Sequence, residues 1–106
     1  MTDNARPTIL YIEDDPGSQI LVQRTLEFAG YEVYVAGTGL SGIDLANTCN
    51  PDLILMDIRL PYEDGFQALE KVRANPRLKD TLVVAVTAEA SVEQVKRAKE
   101  AGFDGF

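Results

Sequence analysis

Asp52-Leu53-Ile54-Leu55-Met56-Asp57 is a run of four apolar residues bracketed by carboxylates. An apolar run without alternation is the pattern of a short strand buried on both faces, which belongs in a parallel sheet with helices above and below. Working outward, Thr8-Ile9-Leu10-Tyr11-Ile12 and Leu82-Val83-Val84-Ala85-Val86 share that continuous character. Tyr31-Glu32-Val33-Tyr34-Val35 instead alternates like a half-exposed strand.

Helical signals fill the gaps between these strands. Asp15 is placed to cap a helix with Pro16 at its first position, and Val22, Leu26 and Ala29 share one face of it. Gly30 stands where a helix-ending glycine belongs. A second helix covers roughly Leu40 to Thr48 and stops before Pro51. Pro61 and Gly65 mark a loop leading into a third helix that carries Phe66, Leu69 and Val72. Ser91 with Gln94 forms a capping-box pattern, Val92, Val95 and Ala98 face one way, and Gly102 closes the fourth helix. The order βαβαβαβα predicts an α/β fold, a doubly wound parallel sheet in one domain over residues 1–106, with no repeats or linkers.

Composition narrows the function. At 106 residues, 45% hydrophobic and 25% charged, the chain has the make-up of one globular domain rather than a disordered or collagen-like one. Its longest apolar runs are far short of the about 20 residues of a membrane helix, and Met1–Pro7 lacks the apolar core of a secretory signal. A single cysteine, Cys49, cannot pair internally, so the expected setting is the reducing cytoplasm. Seventeen acids against ten bases give a net charge of −7, which repels phosphate backbones and predicts no nucleic-acid binding by this segment. The absence of histidine excludes histidine-based triads and histidine-ligated zinc.

Chemistry in an open parallel sheet gathers beyond the carboxyl ends of the strands. Those ends carry Glu13 and Asp14 after the first strand, Asp57 after the third, and Thr87 and Ala88 after the fourth. Any one of these acids alone is an ordinary solvated strand-end residue; acids at two neighbouring strand ends would crowd one crevice. Such a crowd must be relieved by protons or a cation, and oxygen-only ligands suit a hard ion such as Mg²⁺. Asp57, at the mouth of a dry sheet, can then act as a nucleophile toward a phosphoryl group. The Thr87 hydroxyl and the Ala88 backbone N–H are placed to hold the transferred oxygens.

Ile9-Leu10-Tyr11-Ile12-Glu13-Asp14-Asp15, then Asp52 through Pro61 with Gly65, then Val84-Ala85-Val86-Thr87-Ala88 together resemble the receiver domain of two-component response regulators. The resemblance runs from about Thr8 to the last residue and is nearest to the single-domain receivers. It implies a flavodoxin-like sheet in the order 2-1-3-4. It implies a phosphoryl group passed to Asp57 from a histidine kinase or a histidine phosphotransfer protein, by self-phosphorylation rather than turnover, and a signal carried by conformational change. It implies Mg²⁺ (or Mn²⁺) held by Asp14, Asp57 and the backbone carbonyl of Arg59, with Glu13 assisting through water. Thr87 is then a switch residue coupled to an aromatic on strand five, where Phe106 falls. Arg59 and Glu89 flank the phosphoryl site as tuning positions.

The resemblance also has a gap. The family's phosphoryl-binding lysine falls just past Phe106, so a receiver incomplete at its C-terminal end is expected, with strand five and helix five missing or only begun. A fourth strand left as an exposed edge invites pairing, which predicts a homodimer. The alternative function on this ground is a phosphorylation-impaired docking or dimerisation module. Lys96, Arg97 and Lys99 are expected as solvated charges, Cys49 as a small apolar filler, and Phe28, Tyr31 and Tyr34 as packing residues. A hydrolase of the haloacid-dehalogenase type would need an acid where Arg59 stands. An FMN carrier would need a phosphate loop where Glu13-Asp14-Asp15 would repel it.

Overall fold

Strands form where large apolar residues run uninterrupted, and helices begin at short polar side chains that cap them. The computed structural model describes residues 6–60, 62, 64–87 and 91–106. In chain order the elements are β1 (Thr8–Ile12), α1 (Pro16–Phe28), β2 (Glu32–Ala36), α2 (Gly39–Cys49), β3 (Leu53–Asp57), α3 (Gly65–Ala74), β4 (Leu82–Val86) and α4 (Val92–Ala101). All strand pairs are parallel and the sheet order is β2-β1-β3-β4, a flavodoxin-like doubly wound fold.

The caps behave as their chemistry dictates. Asp15 accepts from the Ser18 N–H at 2.8 Å, which holds its carboxyl below the usual range. Asp64 and Gln67 form a reciprocal box at the start of α3. Ser91 accepts from the Gln94 N–H at 3.1 Å, but the Gln94 side-chain oxygen is buried without a partner, so the expected box there is only half made. Gly30 and Gly102 adopt φ of 103° and 107°, a region costly for any side chain.

Right-handed crossovers put α1 on one face of the sheet and α2, α3 and α4 on the other, because the chain reverses direction across the sheet after β2. On the three-helix face Leu10, Ile12, Ile54, Met56, Val83 and Ala85 join Ala68, Leu69, Val72 and Ala98 in one sealed core. On the α1 face β3 and β4 are not sealed: Leu53, Leu55, Val84 and Val86 are half-buried and Leu82 is 55% exposed. This corrects the expectation that these strands are buried on both sides. Alpha-one packs over β2, holds no fully buried residue, and leaves Phe28 at its end 97% exposed rather than packed.

At the β4 edge a fifth strand is only begun, as the fold reading allows. Asp104 donates from its N–H to the Val83 carbonyl at 2.8 Å, and the Ala85 N–H donates to the Gly105 carbonyl at 3.0 Å. Gly105 thereby makes a parallel bridge with Val84, so a fifth strand has begun and the edge is not bare where a dimer was expected to pair. Arg73 pins this segment, donating to the carbonyls of Lys79, Thr81 and Gly102 and to the Asp104 carboxylate at 2.8 Å. The same Asp104 oxygen accepts from the Val83 N–H at 2.9 Å.

Arg97 is exposed, as expected of a surface charge, and its guanidinium also lies 4.0 Å from the centroid of the Phe66 ring. Phe66 in turn meets Phe103 edge-on at 5.7 Å, so α4 and the segment after it are tied to α3.

Candidate functional site

The ends of β1 and β3 are neighbours because Ile12 pairs with Met56 in register, and the next residue along each is an acid, Glu13 just past β1 and Asp57 as the last residue of β3. Glu13, Asp14 and Asp57 each offer a carboxylate oxygen, and these atoms all lie within 4.8 Å of one another. Glu13 is 8% exposed, Asp57 half-buried and Asp14 exposed, so the cluster grades from the dry sheet toward water.

Glu13 is the most tightly held of the three. Its N–H donates to the Ala36 carbonyl at 2.9 Å and its carbonyl accepts from the Gln19 side chain. Its two carboxylate oxygens accept from the Tyr11 hydroxyl at 3.2 Å and from the Asp15 N–H at 3.0 Å. Burial pushes its carboxyl above the ordinary glutamate range, opposed by the Asp15 N–H and reinforced by the negative charge of Asp57. Burial, then the charge of Glu13, likewise pushes the Tyr11 hydroxyl well above the tyrosine range, so Tyr11 is a neutral donor.

Asp57 is aimed by its own loop. Its Oδ1 accepts from the Arg59 N–H at 3.0 Å, and the Gly65 N–H donates to the Ile58 carbonyl at 2.7 Å. A side chain at Gly65 would start 2.7 Å from the Asp57 carbonyl oxygen, so only glycine lets α3 begin this close to the acceptor strand.

Thr87 follows β4, whose Val86 pairs with Asp57, and it is half-buried. It shares an open hollow with Val84, Ala85, Val86 and Phe106, so the two expected switch positions are brought together although Phe106 is 36% exposed. Ala88 and Glu89 lie outside the described residues. Tyr11, Gln19 and the close approach at Gly65 are site features that motif reading passed over. The period-two spacing of Tyr11 and Glu13 on β1, and Gln19 one turn past the Asp15 cap, are the signals that carry them.

Three carboxylates with no imidazole or thiolate among them fit a hard divalent cation with few protein ligands. The response regulator receiver domain model matches residues 9–106. The transcriptional regulator RpaA of Synechocystis sp. is 38% identical over 100 residues, covering 94% of this chain and 42% of its own length. The polar-differentiation response regulator DivK of Brucella abortus is 32% identical over 99 residues, covering 93% of this chain and 80% of its own. Among solved structures, the chemotaxis protein CheY4 of Vibrio cholerae superposes with a TM-score of 0.89 at 31% identity, over 95% of this chain and 84% of that one. The Mn²⁺-bound response regulator Rcp1 gives 0.80 at 29% identity, over 93% and 78%. With its acids gathered where that sheet order puts them and a family match from Ile9 to Phe106, the chain belongs to the receiver domains of two-component response regulators.

Proposed function

We propose that the chain is a phospho-accepting receiver that takes a phosphoryl group onto Asp57 from a histidine kinase or a histidine phosphotransfer protein in the cytoplasm. The observation that carries the reading is the convergence of Glu13, Asp14 and Asp57 within 4.8 Å at the carboxyl end of the sheet. Asp14 and Asp57 would hold Mg²⁺ or Mn²⁺ together with the Arg59 carbonyl, and Glu13 would act through water. The bound cation supplies neutralising charge to the three carboxylates and to the incoming phosphoryl oxygens.

The Arg59 N–H orients the Asp57 carboxylate through Oδ1. A carboxylate oxygen attacks phosphorus, the bond from phosphorus to the donor imidazole nitrogen breaks, and that nitrogen keeps the electron pair. Thr87, beside Val86 on the strand paired with Asp57, offers its hydroxyl to the transferred oxygens. Its movement toward them changes the hollow it shares with Phe106, which is the conformational signal. One phosphoryl group is accepted per chain, so the reaction is self-phosphorylation rather than turnover of substrate.

Intact-mass spectrometry after incubation with Mg²⁺ and a small acyl phosphate donor tests this, run beside Asp57→Asn. A gain of one phosphoryl group that disappears in the variant is the expected result. No gain in folded wild-type protein overturns it.

A further inference from the structure

We propose that Tyr11 is a positioning residue of the acidic site, its hydroxyl holding the Glu13 carboxylate in the pose from which Glu13 serves the cation shared with Asp14 and Asp57. The inference rests on the reading of that cluster as a cation site. Tyr11 and Glu13 are two apart at the end of β1 and so project from the same face. The tyrosine is 2% exposed, and its strand register sets it between Val35 of β2 and Leu55 of β3, so its ring is enclosed where it stands. From that ring the hydroxyl donates to Glu13 Oε1 at 3.2 Å, while the Asp15 N–H takes Oε2 at 3.0 Å.

The consequence is geometric. Each carboxylate oxygen has two acceptor positions, so one donor on each leaves one position per oxygen for a cation or its water. Without the hydroxyl, Glu13 is repelled by the negative Asp57 and Asp14 and has only the Asp15 N–H to hold it inward. A buried tyrosine commonly finds some partner for its hydroxyl. Here the partner is itself a member of the acidic cluster, which gives the bond a function besides satisfying Tyr11. Partners that orient ligating groups in this way typically matter about tenfold or more for metal affinity.

Calorimetric titration of Mg²⁺ into the full chain tests this with Tyr11→Phe, Glu13→Gln, the double variant and Asp57→Asn. Tyr11→Phe is expected to weaken binding about tenfold with little change in the melting of the cation-free protein. In the Glu13→Gln background the same change is expected to do nothing, because Tyr11 acts through Glu13. Mg²⁺ is also expected to perturb the near-ultraviolet tyrosine absorbance of wild type, and of Tyr62→Phe, but not of Tyr11→Phe. Wild-type affinity in Tyr11→Phe overturns the proposal, as does an equal loss in both backgrounds. Wild-type binding that survives Asp57→Asn unchanged removes the cation reading itself, and the proposal with it.

Discussion

On one face of the sheet Leu10, Ile12, Ile54, Met56, Val83 and Ala85 are sealed under three helices; on the other, burial is confined to the β1 and β2 side, at Ile9, Tyr11 and Val33. The two faces of β3 and β4 are equally apolar in sequence, yet their burial alternates residue by residue. The difference teaches that apolar character states what a strand can bury, whereas the crossover direction decides what covers it. Glu13 and Tyr11 lie buried on the α1 side at the strand ends, and the acidic site meets water through the exposed Asp14.

The largest effect that would break this comparison is a pair of truncations. Leu10→Ala empties a site with no exposure and is expected to cost about 2–5 kcal/mol. Leu82→Ala removes a side chain already 55% exposed and is expected to cost under about 1 kcal/mol. Urea unfolding of both variants reads the difference. Equal losses would mean that the two faces are sealed alike in solution.

A smaller effect, at the strand ends on the α1 side, comes from Glu13. Its carboxyl is raised by burial and by the charge of Asp57, so the folded chain keeps this proton to a higher pH than an ordinary glutamate at 4.5. Between those two values the folded state binds more protons than the unfolded one, and stability falls as pH rises. Glu13→Gln is therefore expected to raise the melting temperature of the cation-free protein at neutral pH. The gain should vanish well below pH 4.5, where both forms are uncharged. The amide can be accommodated, since its oxygen can take the Asp15 N–H while its nitrogen donates to a turned Tyr11 hydroxyl. A gain independent of pH would show that the ionised carboxylate is not the source of the cost.

The sequence made the element order, the sheet class and the three acids legible, because each rests on a local signal. Asp15 before Pro16, Gly102 after the last periodic alanine, and Asp57 after Leu-Ile-Leu-Met are readable without knowing the partners. What was not legible depends on long-range packing. The exposure of Phe28 follows from where α1 ends over the sheet, and Arg73 gathers acceptors 6 to 31 positions away. Arg97 has the sequence context of a solvated charge, and only the approach of α4 to α3 gives it a ring to lie on. The Tyr11 hydroxyl was hidden for another reason: within an apolar strand a tyrosine reads as bulk, and its polar end matters only once Glu13 is known to turn inward.

The smallest effect asks how far the sealed face extends. Among the residues of α4 only Ala98 is fully buried, so the helix is held by little apolar area. Its attachment instead combines Ala98 with the Arg97–Phe66–Phe103 stack at 4.0 and 5.7 Å. A guanidinium over an aromatic face at a partly exposed site is worth about 0.5–1 kcal/mol, so Arg97→Ala is expected to cost that much in global stability. Because the contribution needs the ring, a double-mutant cycle with Phe66→Leu should recover most of it as coupling. Hydrogen exchange gives the local reading. If the stack anchors α4, amides in the middle of that helix should exchange faster in Arg97→Ala while those of β1 and β3 stay protected. Unchanged exchange in α4 would show that Ala98 and the residues around it hold the helix alone, and that the sealed face ends at α3 and β4 without needing the charged residue above it.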